Sequence, residues 1–304
     1  MGKTSRVIYK PREAVDYRLI DMAPYIQSGR LVPVGARSKL SLYLKDLWGR
    51  RSYIWYDSRT KVKTQNNEHR LGTLWLLVKP LLDIIFYGLL FGVVLKASRG
   101  IDNYPAYIII GILMFRYISS VMNNAAGVMN QSKPMMRAFS FPRMAIPLSM
   151  LARQTLQMGP IVAVMIVGLI AIPPHQYPSL TWAMFIPVFA LNSVFLFGLS
   201  LIIARYAFIL PDIKQLLSFV TRVLLYGSGI IFPIERFVNH PVLAQIIQAN
   251  PVYIFIDLYR QVLLNNSLGS LESWAGAGAW TVGTLLVGFF IFWRAEEVFG
   301  RELR

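Results

Sequence analysis

Apolar residues gather in six long runs, and the chain turns polar only in short stretches between them. The runs lie near Thr73–Leu95, Tyr104–Met122, Pro147–Ile172, Trp182–Ala204, Leu216–Phe232 and Trp274–Trp293, close to the ~20 apolar helical residues that cross about 30 Å of hydrocarbon. The pattern predicts an all-α polytopic membrane protein with six transmembrane helices.

Two weaker patterns flank these runs. In LYLKDLWGRRSYIW (residues 42–55) and just before it, Leu40, Tyr43, Leu44, Leu47 and Trp48 recur at helical spacing, while Lys45, Asp46, Arg50 and Arg51 fall largely elsewhere. This is the pattern of an interfacial amphipathic helix, with Leu44, Leu47 and Trp48 in lipid and Arg50 and Arg51 on phosphates. A short soluble helix packed on an N-terminal subdomain is the plainer alternative. Before the last run, Val238–Ile247 and Val252–Leu264 are apolar but too short to cross, and Pro241, Asn250 and Pro251 divide them. They predict a re-entrant helix pair in the outer leaflet, either bordering a pathway or capping the bundle. The resulting division is a cytoplasmic extension (1–37), an interfacial helix and linker (38–72), a six-span domain (73–293) and a cytoplasmic tail (294–304).

Composition agrees with the membrane reading: the 304 residues are 55% hydrophobic and 15% charged, with mean hydropathy +0.47. A formal charge of +16 and a pI near 10.2 would point to nucleic acid in a soluble protein. Here the excess follows the positive-inside rule instead, and no nucleic-acid partner is expected. With the N-terminus inside, inner segments carry 23 Lys and Arg and outer loops carry four: Lys96, Arg99, Arg236 and Arg260. Both termini are therefore expected in the cytoplasm, and no cleavable leader is recognised in the first ~70 residues.

Catalytic chemistry finds little support. There are no cysteines, and His69, His175 and His240 are too dispersed to hold a metal. Gly2-Lys3-Thr4 resembles the end of a phosphate-binding loop, but the glycine that must precede it is absent, so no ATP site is expected in this chain. Lys79 and Asp83, four apart in the first run, are read as a mutual pair, while Arg116, Arg153 and Arg222 have no obvious local partner.

The stretch QSKPMMRAFSFPR (residues 131–143) interrupts two apolar runs with Lys133, Arg137 and Arg143, threaded by Met135, Met136, Phe139 and Phe141. Pro134 can open a helical turn and Pro142 can close one, which predicts a stubby helix over Met135–Phe141 on the inner membrane face. Read from composition alone, the cations simply obey the positive-inside rule and the aromatics rest in the interface.

Taken in order, several segments resemble the permease subunits of ABC-type-2 exporters, especially those of O-antigen, capsule and teichoic-acid polysaccharides. They are RLGTLWLLVKPLLDIIFYGLLFGVVL (70–95), FPR (141–143), ARYAFILPDI (204–213), Asn250-Pro251, and Tyr259-Arg260. The resemblance spans about residues 40–293. Lys79 departs from it, where a small polar residue commonly precedes the proline, and so does the long N-terminal extension, which is similar to that of actinobacterial galactan exporters. It implies a homodimer in the bacterial cytoplasmic (inner) membrane, joined by two copies of a separate ATP-binding subunit that carries ATP and Mg, and exporting a lipid-linked polysaccharide. It also places an ATPase-coupling element at 131–143 and a re-entrant gate at Asn250, Pro251, Tyr259 and Arg260. Glycans have apolar ring faces and many hydroxyls, so Trp75, Phe86, Tyr87, Phe91, Phe219 and Tyr226 are candidate translocation-path residues. An exporter of small lipids or drugs would share this architecture. A membrane-embedded glycan transferase or polymerase would need paired carboxylates, which the outer loops do not offer.

Overall fold

The structure is a computed structural model that describes residues 40–64, 72–90, 101–139, 141–231 and 241–301. Every regular element among the described residues is helical. Helices α1 (Leu40–Gly49) and α2 (Arg51–Thr64) precede a 3-10 turn (Gly72–Leu74) that leads into α3 (Trp75–Tyr87). Then come α4 (Tyr104–Gln131), α5 (Lys133–Ala138) and α6 (Ala145–Ala171). A second 3-10 turn (Leu180–Met184) opens α7 (Phe185–Ile209), followed by α8 (Ile213–Gly227), α9 (Pro241–Ala249), α10 (Pro251–Leu263) and α11 (Leu271–Arg301).

Four helices are long and apolar enough to cross a membrane: α4, α6, α7 with its 3-10 turn, and α11. The other two expected spans coincide with α3 and α8. Residues 91–95 of the first, Phe91 included, lie outside the described residues. Helix α8 stops at Gly227 rather than Phe232, because Gly227-Ser228-Gly229 follows and Gly229 takes φ 64°, which favours glycine. Its 15 residues rise about 22 Å, less than a full crossing. It is two-faced, with Leu217 and Thr221 buried and Leu216, Phe219, Val223 and Tyr226 exposed.

Helix α4 forms the centre. Asn103 caps it by accepting from the Ala106 N–H at 3.1 Å, with Pro105 in the first turn, where a missing N–H costs nothing. Its apolar residues are buried nearly all the way round, as expected of a helix enclosed by others. It packs along α6 and α7 and also meets α3, α8 and α10. The most extensive helix pair is α7 with α11. Glycines permit the approach: a Cβ on Gly198 would lie 2.5 Å from the Leu285 nitrogen. Close backbone contact of this kind is how helices gain packing energy in lipid.

The single interfacial helix expected over 42–55 is instead two, divided after Gly49, a poor helix former. Helix α2 lies on α6, and the buried Ser58 hydroxyl donates to the Ser149 carbonyl at 2.9 Å. Helix α1 presents an apolar surface, with Leu40, Leu42, Leu44 and Trp48 exposed, Trp48 by 72%, and α2 adds exposed Trp55 and Tyr56. The two short helices expected before the last run fall close to their expected limits, as α9 and α10. Asn250 both ends one helix and caps the next, its Oδ1 accepting from the Val252 N–H at 3.0 Å, with Pro251 as the first helical residue. Residues 294–301, read as part of a tail, continue α11 as helix, with Glu296 and Phe299 buried.

Candidate functional site

Helix α5 hangs between two long helices, α4 and α6. It begins two residues earlier than the sequence predicts, with Pro134 in its first turn, and it ends at Ala138. Phe139 is already extended (φ −133, ψ 137), and Phe141 precedes Pro142, which disfavours further helix. This short helix sorts the candidate coupling residues. Phe139 is 67% exposed and Arg137 is exposed beside it. Met136 is only 6% exposed and belongs to the core. Met135 receives the Tyr53 hydroxyl on its sulfur at 3.0 Å, and Phe141 packs on the Tyr53 ring at 6.1 Å. The Lys133 ammonium sits 5.0 Å from the Phe208 ring centre, a cation–π contact with α7. Arg50, Tyr53, Met135, Ala138, Phe139 and Phe141 together line a cleft of about 530 Å³ between α2 and α5.

Arg143 points inward. Its Nη1 donates to the Glu296 carbonyl at 2.7 Å and lies 3.5 Å from Glu296 Oε1, and its backbone N–H donates to Oε1 at 3.1 Å. The other carboxylate oxygen accepts from the Tyr43 hydroxyl at 3.0 Å, and that hydroxyl in turn accepts from the Met144 N–H at 3.3 Å. Burial, and then the neighbouring Glu296 charge, push the Tyr43 hydroxyl far above its ordinary range, so it remains a proton donor. A buried acid is thus satisfied from α1 and from the loop after α5, which ties both to the end of α11. The helical spacing puts Tyr43 on the apolar stripe of α1, and in the structure it faces protein. Neither Tyr43 nor Glu296 is singled out by the sequence pattern. The available signal is an acid just beyond the last apolar run, with arginines in the inner segments to meet it.

Inside the bundle, the expected Lys79–Asp83 pair is not formed. Asp83 pairs with Arg116 of α4, which supplies the partner missing from the local sequence. Lys79 lies 6.0 Å from the Trp75 ring centre. Trp75 and Lys79 border a polar cavity of about 190 Å³ between α3, α4 and α6. Of the other candidate path aromatics, Phe86 and Tyr87 meet edge-on at 5.2 Å, and Tyr226 is within electrostatic reach of Tyr87. Phe86, Phe219 and Tyr226 are exposed, so α3 and α8 each present aromatic surface that the described residues do not cover.

In the α9–α10 pair, Tyr259 is fully buried and accepts from Asn192 Nδ2 at 3.1 Å. Arg260 was counted among the outer-loop cations, yet it is only 4% exposed. Its guanidinium stacks 3.4 Å from the Tyr107 ring centre and donates to the carbonyls of Gly229 and Ile230, each at 2.8 Å. Those carbonyls lie just past the end of α8, so Arg260, together with the Tyr107 hydroxyl that donates to Gly229 at 2.7 Å, supplies donors that the broken backbone needs. Gly111 makes the room, since a Cβ there would lie 2.6 Å from Arg260 Nη2. Asn250 Nδ2 also donates to Ser228 Oγ at 2.8 Å, joining α10 to the same turn. Sequence order suggests a gate at these residues, and their contacts are those of a brace.

The geometry defines a class: a polytopic helical membrane protein with a short exposed helix slung between two spanning helices. Residues 58–264 match the ABC-2 type transporter family model, and the chain belongs to that family. It is similar to the O-antigen export system permease protein RfbA of Klebsiella pneumoniae, 26% identical over 68% of this chain and 78% of that protein. It is also similar to the RfbA of Myxococcus xanthus, 20% identical over 86% of this chain and 98% of the relative. The polysialic acid transport protein KpsM of Escherichia coli is 21% identical over 78% of this chain and 91% of its own length. The chain is thus the membrane subunit of a transporter whose ATP hydrolysis takes place on a separate ATP-binding subunit.

Proposed function

We propose that this chain is the permease of an exporter that carries a lipid-linked polysaccharide, of O-antigen, teichoic-acid or galactan type, across the bacterial cytoplasmic membrane. It works as a homodimer with two copies of an ATP-binding subunit, which bind ATP and Mg. Both termini face the cytoplasm. The observation that carries the reading is the pairing of an exposed Phe139 and Arg137 with a cleft of about 530 Å³ walled by Arg50 and Tyr53. Exposed aromatic and arginine side chains beside a cleft are typical anchors for a protein partner. Lys133, Met135, Phe141 and Arg143 tie that element to α2, α7 and α11, a route by which a push on it reaches the spans. The O-antigen and polysialic acid relatives support a glycan as cargo.

In this reading Trp75, Phe86, Tyr87, Phe91, Phe219 and Tyr226 give the passing sugars aromatic faces, and Leu44, Leu47 and Trp48 anchor α1 in the inner leaflet with Arg50 and Arg51 at headgroups. Asn250, Pro251, Tyr259 and Arg260 hold the outer end of the path. Depleting the chain in its native cell tests the function. Lipid-linked glycan should then accumulate on the cytoplasmic side and disappear from the surface. Unchanged surface glycan would refute the reading, and loss of a surface lipid alone would favour an exporter of small lipids.

A further inference from the structure

The polar cavity between α3, α4 and α6 lies at an unusual depth for its chemistry. Its wall carries Lys79 and Arg116, the amides of Asn124, Gln154 and Gln157, and the indole of Trp75. Trp75 and Lys79 belong to the first two turns of α3, and Gln154 and Gln157 to the third and fourth turns of α6. With the N-terminus inside, a topology that rests on the function proposed above, these positions fall within the inner leaflet. Cations and amides there are costly unless they line a wet or occupied cavity. Asp83 neutralises Arg116, while Lys79 makes no ion pair among the described residues, so one positive charge is left over.

We propose that this cavity binds the phosphate of a lipid-anchored sugar entering from the inner leaflet, with Lys79 as its counter-charge. The phosphate sits between Lys79 and Arg116. The first sugar stacks on Trp75 and exchanges hydrogen bonds with Asn124, Gln154 and Gln157. At about 190 Å³ the cavity is smaller than the ~300 Å³ lower bound for sites that bury a whole drug-sized ligand. It therefore holds one end of the molecule, leaving the tail in lipid and the rest of the glycan outside.

Calorimetric titration of the purified full-length chain, without its ATP-binding subunit, tests the site apart from export. Three probes separate the sources: a glucosyl phosphate bearing a short isoprenoid tail, glucose 1-phosphate, and dodecyl glucoside. The tailed glucosyl phosphate should bind saturably, at least about tenfold more tightly than either other probe. Lys79→Gln should weaken it about tenfold, while Lys79→Arg keeps the charge and stays within about threefold, and both variants should elute and melt like the parent. The site is overturned if the tailed probe does not saturate, if Lys79→Gln binds it as well as the parent, or if glucose 1-phosphate or dodecyl glucoside binds equally tightly. Export that persists without such binding would leave the proposed function standing and remove only this site.

Discussion

The Tyr43 hydroxyl lies 3.0 Å from a carboxylate oxygen of Glu296, 253 positions further along the chain. One hydrogen bond joins the first described helix to the last, and Arg143 completes the junction from the loop after α5. Tyr43→Phe removes a donor from the buried carboxylate and an acceptor from the Met144 N–H while keeping the ring. It should cost about 1–3 kcal/mol and lower the melting temperature of the detergent-purified permease by a few degrees. Because the hydroxyl is held above its unfolded pKa of 10.0, its contribution is complete below that value and is lost only as pH rises beyond it. The difference between parent and variant should therefore stay constant from about pH 6 to 9. A gap that changes across that window would mean that a group of the Tyr43–Glu296 junction titrates there.

Arg260 braces the turn after α8, and two independent substitutions should weaken it. Arg260→Met leaves the Ile230 carbonyl without its donor, at about 1–3 kcal/mol, while the Gly229 carbonyl keeps the Tyr107 hydroxyl at 2.7 Å. Gly111→Ala intrudes on the guanidinium from the opposite side. Thermal melting should show both variants less stable, and the double variant should lose less than the sum of the two, since they disrupt one contact. Strict additivity would separate Gly111 from the brace.

The pairing inside the bundle is open to a double-mutant cycle. Substituting Asp83→Asn and Arg116→Gln singly and together should give a coupling of about 1 kcal/mol, whereas the cycle between Lys79 and Asp83 should give almost none. The reverse order would restore the local i, i+4 pair.

The aromatic surfaces of α3 and α8 predict a separation between yield and export. Replacing Tyr87 and Tyr226 together with alanine should slow glycan export several-fold, about 1 kcal/mol or more of lost stacking, with dimer yield nearly unchanged. Yield falling in step with export would make these residues structural.

How much of this was legible in the sequence differs from element to element. The long apolar runs that became α4, α6, α7 and α11 were plain, because length and hydropathy alone decide whether a helix can span. The α9 and α10 pair was equally plain, because Asn250-Pro251 both ends and starts a helix. Single side chains were harder. Arg260 read as an outer-loop cation, since charge counting does not see the Gly229 and Ile230 carbonyls that bury it. Lys79 and Asp83 were the best local pair, and a residue 33 positions away displaced Lys79. Within 131–143, the apolar and basic residues look alike in sequence. Only folding separates the buried Met136 and the Glu296-bound Arg143 from the exposed Arg137 and Phe139.

We propose that Phe139 and Arg137 transmit work from an ATP-hydrolysing partner to the spans. The most direct measurement of this transmission is glycan translocation into sealed vesicles holding the permease and its ATP-binding subunit, with co-purification of the two followed in parallel. The combined Phe139→Ala and Arg137→Glu variant should insert and dimerise like the parent, retain less of the ATP-binding subunit and lose ATP-driven translocation. A variant that binds the subunit fully and exports at the parental rate would contradict the account.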